Sequence, residues 1–408
     1  MSKRRSAGEG GAYEYPTGAG RRWYWKAVIA RADGSRETLV RRGFATKQLA
    51  LEAMGDAQAA SRQGTFAEPS RQLLSAYLGE WLEGLRLEPA TVANYRILLR
   101  CHVLAYPIAA LPLASLTAAR IDALYRQLEQ HGRRDHMGER TGLPLSANTV
   151  RHVHVLLRGA LAAAVRSGQL VRNPADSAHP PTAKQAKARE MHPWTAGELS
   201  AFLAWAGKHS SYYAAFHTLA MTGLRRGELL ALTWRDIDLD AGTIAVRRSA
   251  GSVKVKGERG RVVVGPTKTH RARVVDIDSA TVALLRSHRR ERAGLALQLA
   301  SAGAVAFGDH EGRIRVPEHF SAAFADAITR CRKQLAAAGA EPPPVIRLHD
   351  LRHTHATLLL ADREPVKTVS ERLGHASVAI TLDVYGHVMP GDQRRAADRF
   401  AALIGESR

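Results

Sequence analysis

Two cysteines in 408 residues, Cys101 and Cys331, leave little room for sulfur chemistry. They stand far apart and outside any CxxC pattern, which excludes a disulfide framework and a cysteine-rich zinc site and fits a reducing cytoplasm. No uninterrupted apolar run approaches the length that crosses a bilayer, so no membrane partner is expected. The basic start "MSKRRSAGEGG" is not followed by an apolar segment, so it does not read as a signal peptide. Carboxylates are also scarce: 38 Asp and Glu face 59 Lys and Arg, a net charge of +21.

What remains is an ordinary folded composition, 45% apolar, under an unusual charge. Basic runs recur along the chain, among them "KRR", "VRRGF", "RHVHVLLR", "KQAKAR" and "RSHRRER". Positive charge spread over several blocks suits a polyanion that touches them all, and nucleic acid is the expected partner. A merely solubilising surface is the plain alternative. The length allows two or three domains.

Residues 1–63 open with a flexible Gly-rich tail and continue as "RRWYWKAVIARADGSRETLVRRGF". Trp23, Trp25, Ala27 and Ile29 alternate with Tyr24 and Lys26, the pattern of a half-buried strand. "ADGS" supplies a turn, "RETLVRRGF" a returning strand, and Thr46 a cap for the helix that follows. Arg22, Lys26, Arg41 and Arg42 make this small sheet a candidate reader of a DNA groove.

Residues 69–172 are helical by pattern and long enough for a compact bundle. Asn148, Arg151, His152 and Arg158 occupy polar positions of its last long helix, facing either phosphates or solvent. The stretch 173–191 is rich in Pro and Lys and reads as a linker, with Lys184 and Lys187 placed to follow a phosphate backbone. Residues 192–408 are mixed: helices flank "TIAVRRSAGSVKVKG", "GRVVVGPTKTHRARVVDI" and "GAVAF", which read as strands with hairpin connections. The expected fold is multidomain and mainly α with small β-sheets: a β-sheet-plus-helix domain, a helical bundle and a mixed α+β domain.

Chemistry concentrates in "HDLRHTHATLLL", His349 to Leu360. On a helix His349 and Arg352 share a face, and His353 extends it by one position. Zinc would use His349 and His353, but the pattern lacks a glutamate base and a third ligand and sets a cation between the histidines. A satisfied core histidine is the ordinary alternative, against which an arginine on the same face speaks. The third option is an anion, because the planar fork of arginine matches phosphate oxygens and keeps its charge. "MTGLRRGELLAL" offers a second arginine; Arg225 and Arg226 diverge by about 100° around a helix, so only one faces a site. Lys268, in "GPTKTH", sits at a hairpin turn from which a long amine reaches inward.

In this order "TGLRRGELLAL", "TKTHRAR", "HDLRH", "LGH" and a tyrosine ten residues past that histidine resemble the tyrosine recombinases, the phage-integrase type in particular. The basic N-terminal block and the helical middle block are similar to the arm-binding and core-binding domains of such integrases. The resemblance implies an N-terminal arm-DNA-binding-like domain at 1–63, a core-DNA-binding domain at 69–172 and a catalytic domain at 192–408. It places the catalytic set on Arg225, Lys268, His349, Arg352, His375 and Tyr385, the nucleophile, with Glu228 supporting Arg225. His353 and His355 receive no catalytic role and are read as structural, and Arg226 stays a candidate DNA contact.

The implied reaction is a strand exchange by site-specific recombination, without ATP, metal or cofactor. Arg225 and Arg352 would clamp the non-bridging oxygens, with a further hydrogen bond from His375. Surrounding cations would favour the phenolate of Tyr385, His349 would take its proton, and Lys268 would protonate the departing 5′ hydroxyl. The implied partners are double-stranded DNA attachment sites, three further copies in a tetramer, a host DNA-bending factor and a directionality factor. The amphipathic tail "DQRRAADRFAALIGESR" is expected to pack on a neighbouring protomer, and the protein to work on the cytoplasmic nucleoid. Two rivals use the same residues differently: relaxation of supercoils in the manner of type IB topoisomerases, and a non-catalytic DNA-binding regulator.

Overall fold

A computed structural model describes residues 10–18, 20–30, 36–62, 71–135, 138–186, 192–253, 261–267, 271–386 and 393–405. The chain divides into two compact units, Met1–Ala188 and Arg189–Arg408.

The first unit begins with an antiparallel sheet, β1 (Gly11–Thr17), β2 (Gly20–Ala30) and β3 (Arg36–Phe44), in that order. Strand β1 corrects the reading of a flexible tail. Its Gly and Pro16 mask a strand, but β1 lies at the sheet edge, where proline is tolerated. Trp25, Ala27 and Ile29 are buried on one face beneath helix α1 (Lys47–Arg62), whose first turn is capped by Thr46 Oγ1 at 3.2 Å from Leu49 N. The turn at 31–35 lies outside the described residues.

Helices α2 (Leu74–Glu83), α3 (Pro89–His102), α4 (Ala118–His131) and α5 (Ala147–Arg166) share a second core of Leu, Val and Tyr. Thr117 and Ser146 cap α4 and α5 by accepting from backbone N–H groups three residues on. The linker reading of 173–191 needs correction at its start. Ala175 is fully buried in the bundle core, Asn173 caps a short 3₁₀ turn, and Pro181 is buried. Small apolar residues there pack individually, although the stretch lacks the periodicity of a core-forming helix.

The second unit is built around an aromatic core in which Phe202, Phe216, Phe320 and Phe324 pack on one another and Phe202 and Phe324 meet Trp194. Its elements run α6 (Ala196–His209), α7 (Tyr213–Thr222), α8 (Arg226–Leu230), β4 (Ile237–Asp238), β5 (Thr243–Val246), β6 (Arg248–Val253), β7 (Arg261–Pro266) and β8 (Arg273–Asp276). Then come α9 (Ser279–Leu295), α10 (Pro317–Ala337), α11 (Asp350–Ala361), α12 (Val366–Leu373), α13 (Val378–Tyr385) and α14 (Gln393–Gly405). A full capping box, Thr195 with Glu198, opens α6. Strand β5 lies between β4 and β8, and β6 pairs with β7. "GAVAF" is not a strand; Val305 makes only an isolated bridge to Thr233.

Among the described residues no helix is long and apolar enough to cross a membrane.

Candidate active site

Helix α7 ends at Gly223, whose φ of +64° is left-handed. A Cβ there would lie 2.7 Å from Leu373 and 2.8 Å from His355, so glycine is required by both conformation and space. The turn delivers Arg225 to the start of α8. Its backbone N–H and Nη1 donate to the two oxygens of Glu228 at 3.0 and 2.8 Å, and Nη2 donates to the carbonyl of Gly374 at 3.2 Å. Gly374, also left-handed at φ +69°, ends α12 and packs against the Arg273 guanidinium. His375 follows directly.

Glu228 is 1% exposed and serves two cations, because Arg273 also donates to both its oxygens, at 3.1 and 2.7 Å. Burial alone would raise its pKa; the hydrogen bonds and charge of Arg273, then of Arg225, outweigh that and hold it below the ordinary carboxylate range. Arg273, the last arginine of "THRAR", drew no notice in the sequence because it sits among three basic residues without a motif of its own.

Arg352 is 3% exposed, and Nη1 donates to the carbonyl of Gly223 at 2.7 Å. Its Nη2 is buried with no hydrogen-bond partner. Burial, then repulsion from Arg225, lowers its pKa to about 9. Three arginines therefore stand around one buried carboxylate, with a guanidinium nitrogen left over. This arrangement is short of negative charge.

Tyr385 ends α13 and is 1% exposed among Ala356, Leu360, Val369 and Leu373. Its hydroxyl lies 2.7 Å from Nδ1 of His353. Two sequence readings change here. Burial pushes the phenol up to about 12 and outweighs Arg352, so the surrounding cations do not favour the phenolate in this arrangement. The imidazole on the phenol is that of His353, not His349. His349 lies edge-on to the His353 ring with centroids 5.1 Å apart, and burial followed by His353 and Arg352 lowers its pKa to about 4. No sequence signal marks this contact: the about 100° between adjacent helical residues sends Arg352 and His353 to different neighbours without saying which.

His375 shares a hydrogen bond between Nδ1 and Thr381 Oγ1 at 2.8 Å. Burial, then Arg352 and Arg225, lowers its pKa to about 4, so it is neutral at physiological pH. A Thr hydroxyl donating to Nδ1 leaves Nε2–H free for another acceptor. His355 accepts from Arg372 Nε at 3.1 Å, while Arg372 also donates to the Met221 carbonyl, tying α11 and α12 to α7. Lys268 lies outside the described residues.

The remaining candidates divide. Arg22, Lys26 and Arg42 project from the sheet face opposite the buried one, beside Tyr13, Tyr15 and Tyr24, with the Arg42 guanidinium 5.6 Å from the centres of two of those rings. Arg41 is paired with Trp25 and so belongs to the covered face, half-buried. Asn148 and Lys184 are exposed, whereas Arg151 donates to the Pro181 carbonyl at 2.6 Å and Arg158 pairs with Asp176 at 2.6 Å. Those two arginines hold the 173–181 segment on the bundle. Arg226 donates to the Pro317 carbonyl and to Ser321 Oγ at the start of α10. Lys187 lies outside the described residues.

Residues 195–391 match the model of the phage integrase family. The chain is 33% identical over 282 residues to the ICEBs1 integrase of Bacillus subtilis, covering 66% of this chain and 69% of that one. It belongs to the phage integrase family. A tyrosine recombinase XerC-like protein of Caldanaerobacter subterraneus is 27% identical over 396 residues, 93% of this chain and 96% of that protein. Two solved structures share the fold. The Tn1549 transposon integrase with transposon right end DNA has a TM-score of 0.63 at 19% identity, over 81% of this chain and 100% of that one. A lambda integrase dimer on a core site has a TM-score of 0.53 at 18% identity, over 91% and 94%. This family member is a tyrosine-type site-specific recombinase.

Proposed function

We propose that this recombinase binds double-stranded DNA attachment sites and exchanges their strands through a 3′-phosphotyrosyl intermediate on Tyr385, moving a phage or integrative element. The observation that carries this reading is the unpartnered Nη2 of Arg352, buried near Arg225, whose carboxylate partner, Glu228, is already shared with Arg273. A backbone phosphate supplies the missing anion. Arg225 and Arg352 bind its non-bridging oxygens, the free N–H of His375 adds a donor, and Glu228 with Arg273 holds Arg225 in place. Lys268 protonates the leaving 5′ hydroxyl. Tyr385 keeps the ester bond energy, so that a second 5′ hydroxyl reverses the step without ATP.

Residues 1–63 serve as an arm-binding domain through the tyrosine- and arginine-bearing sheet face, 69–172 as the core-binding domain and 192–408 as the catalytic domain. Packing of 173–181 on the bundle shortens the linker between the last two. Helix α14 exposes Phe400, Leu403 and Ile404. A groove of about 1110 Å³ lined by Leu199, Leu203, Met221, Leu358 and Leu359 offers a matching seat, which a neighbouring copy's α14 fills in a tetramer. A host bending factor and a directionality factor act on the DNA with it, in the cytoplasm.

Nicked duplexes tiled across the DNA flanking the gene test the reading. Wild type forms a denaturant-resistant protein–DNA adduct on a subset of them, and Tyr385→Phe forms none. An adduct undiminished in Tyr385→Phe, or none with wild type on any duplex, refutes it.

A further inference from the structure

Resting on the reading of Tyr385 as nucleophile, we propose that His353 is a catalytic residue whose Nδ1 takes the hydroxyl proton as the phenol oxygen attacks phosphorus. Among the described residues His353 is the hydrogen-bond partner of the phenol, at 2.7 Å, the reach a general base needs. His349 makes no such contact; it stands a helical turn earlier, edge-on to the His353 ring.

Helix α11 explains how one element serves two reacting groups. Arg352 and His353 are consecutive, so their side chains leave the axis about 100° apart. One reaches Gly223 and the phosphate position; the other reaches α13 and the phenol. The proton acceptor therefore sits one residue from the phosphate clamp, and its position relative to the clamp is set by the helix.

The charges around the imidazole suit a base. Arg352, Arg347, His349 and Asp350 face it from α11 and its lead-in, Tyr385 from α13, and His375 from the α12–α13 turn. Burial holds its pKa below the usual histidine value against the pull of Asp350, with Arg352 and Arg347 adding to the lowering, so the ring is neutral and Nδ1 carries a lone pair when Nε2 holds the hydrogen. Asp350 is anchored by Arg347 at 2.9 Å and supplies the countercharge once the imidazolium forms. In the step the Tyr385 O–H bond breaks and its proton passes to Nδ1. The Oη–P bond forms, and the P–O5′ bond breaks with its electron pair on the 5′ oxygen, which takes a proton from Lys268. Religation reverses each transfer. No redox partner enters.

The test uses the full chain in single-turnover cleavage of two suicide duplexes, one with the ordinary 5′ bridging oxygen and one with sulfur in its place. Sulfur leaves without protonation, so it rescues defects in the acid and not in the base. We expect His353→Ala and His353→Gln to cleave about 100-fold more slowly on both duplexes. Lys268→Ala recovers on the sulfur duplex. His353→Gln keeps a hydrogen-bond acceptor for the phenol but no basic nitrogen, so it separates proton transfer from placement; unchanged DNA affinity shows that it folds. The acid limb of the wild-type pH–rate profile is also lost in His353→Gln. Wild-type speed in His353→Gln would make the contact one of placement alone and overturn the proposal. Faster cleavage by His353→Ala would make the contact a restraint, and rescue of His353 variants by sulfur would move the residue to the leaving group; either overturns it. Cleavage by Tyr385→Phe would instead strike the reading of the nucleophile.

Discussion

Arg352 donates through Nη1 to the carbonyl of Gly223 at 2.7 Å, joining the helix of "HDLRH" to the turn of "TGLRR" across 129 positions of sequence. That bond fixes the guanidinium plane and leaves Nη2 buried without a partner. A lysine retains the charge but lacks the fork. Arg352→Lys is expected to slow single-turnover cleavage by about 100- to 1000-fold while DNA affinity changes little. A cleavage rate near wild type, measured by adduct formation against time, would remove Arg352 from the phosphate.

Glu228 is the only carboxylate bound by both Arg225 and Arg273 among the described residues. Glu228→Gln leaves those cations uncompensated, and the expected loss is about 3–5 kcal/mol of stability in denaturant unfolding. Its folded pKa is depressed, so its contribution is complete above the unfolded value of about 4.3 and disappears as pH falls through the folded value. Equal stability of wild type and variant at neutral pH would contradict the assignment.

His349, His355 and His375 each have a pKa lowered to about 4 by burial first, with neighbouring cations adding. Their unfolded value is about 6.5, so below that pH the unfolded chain binds protons that the native chain refuses. Stability is whole above about pH 6.5 and declines toward pH 4, ahead of most carboxylate titration. Calorimetry of the full chain should show Tm falling over that interval. A flat Tm from neutral pH to about pH 5 would show that these rings are not buried as neutral species.

Arg42 and Arg41 are neighbours in sequence on opposite faces of the sheet. If the tyrosine-bearing face meets phosphates, Arg42→Ala lowers the slope of log affinity against log salt by about 1, and Arg41→Ala leaves the slope unchanged. Equal changes for the two would dissociate DNA binding from that face.

The sequence carried much of this architecture in legible form. Alternation over Trp23 to Ile29 announced β2, and Thr46 announced the start of α1. Motif order named Arg225, Glu228, Arg352 and His375, which stand close enough in the fold to interact. Other features were not legible, Arg273 among them. Strand β1 hid behind glycine and proline because edge pairing tolerates both. The 173–181 segment hid because its packing depends on single residues such as Ala175 and on Arg158–Asp176, not on periodicity. The His353–Tyr385 contact hid because histidine type and spacing give no indication of which neighbouring helix a ring meets, and the raised phenol pKa follows from burial that composition does not reveal.

The most direct measurement is the site of the covalent bond. The adduct formed with a suicide duplex is digested with protease and nuclease, and the peptide carrying the residual nucleotide is sequenced by mass spectrometry. The account predicts the nucleotide on the oxygen of Tyr385, joined through a 3′ phosphate. A nucleotide on any other residue, or a 5′ linkage, would contradict it.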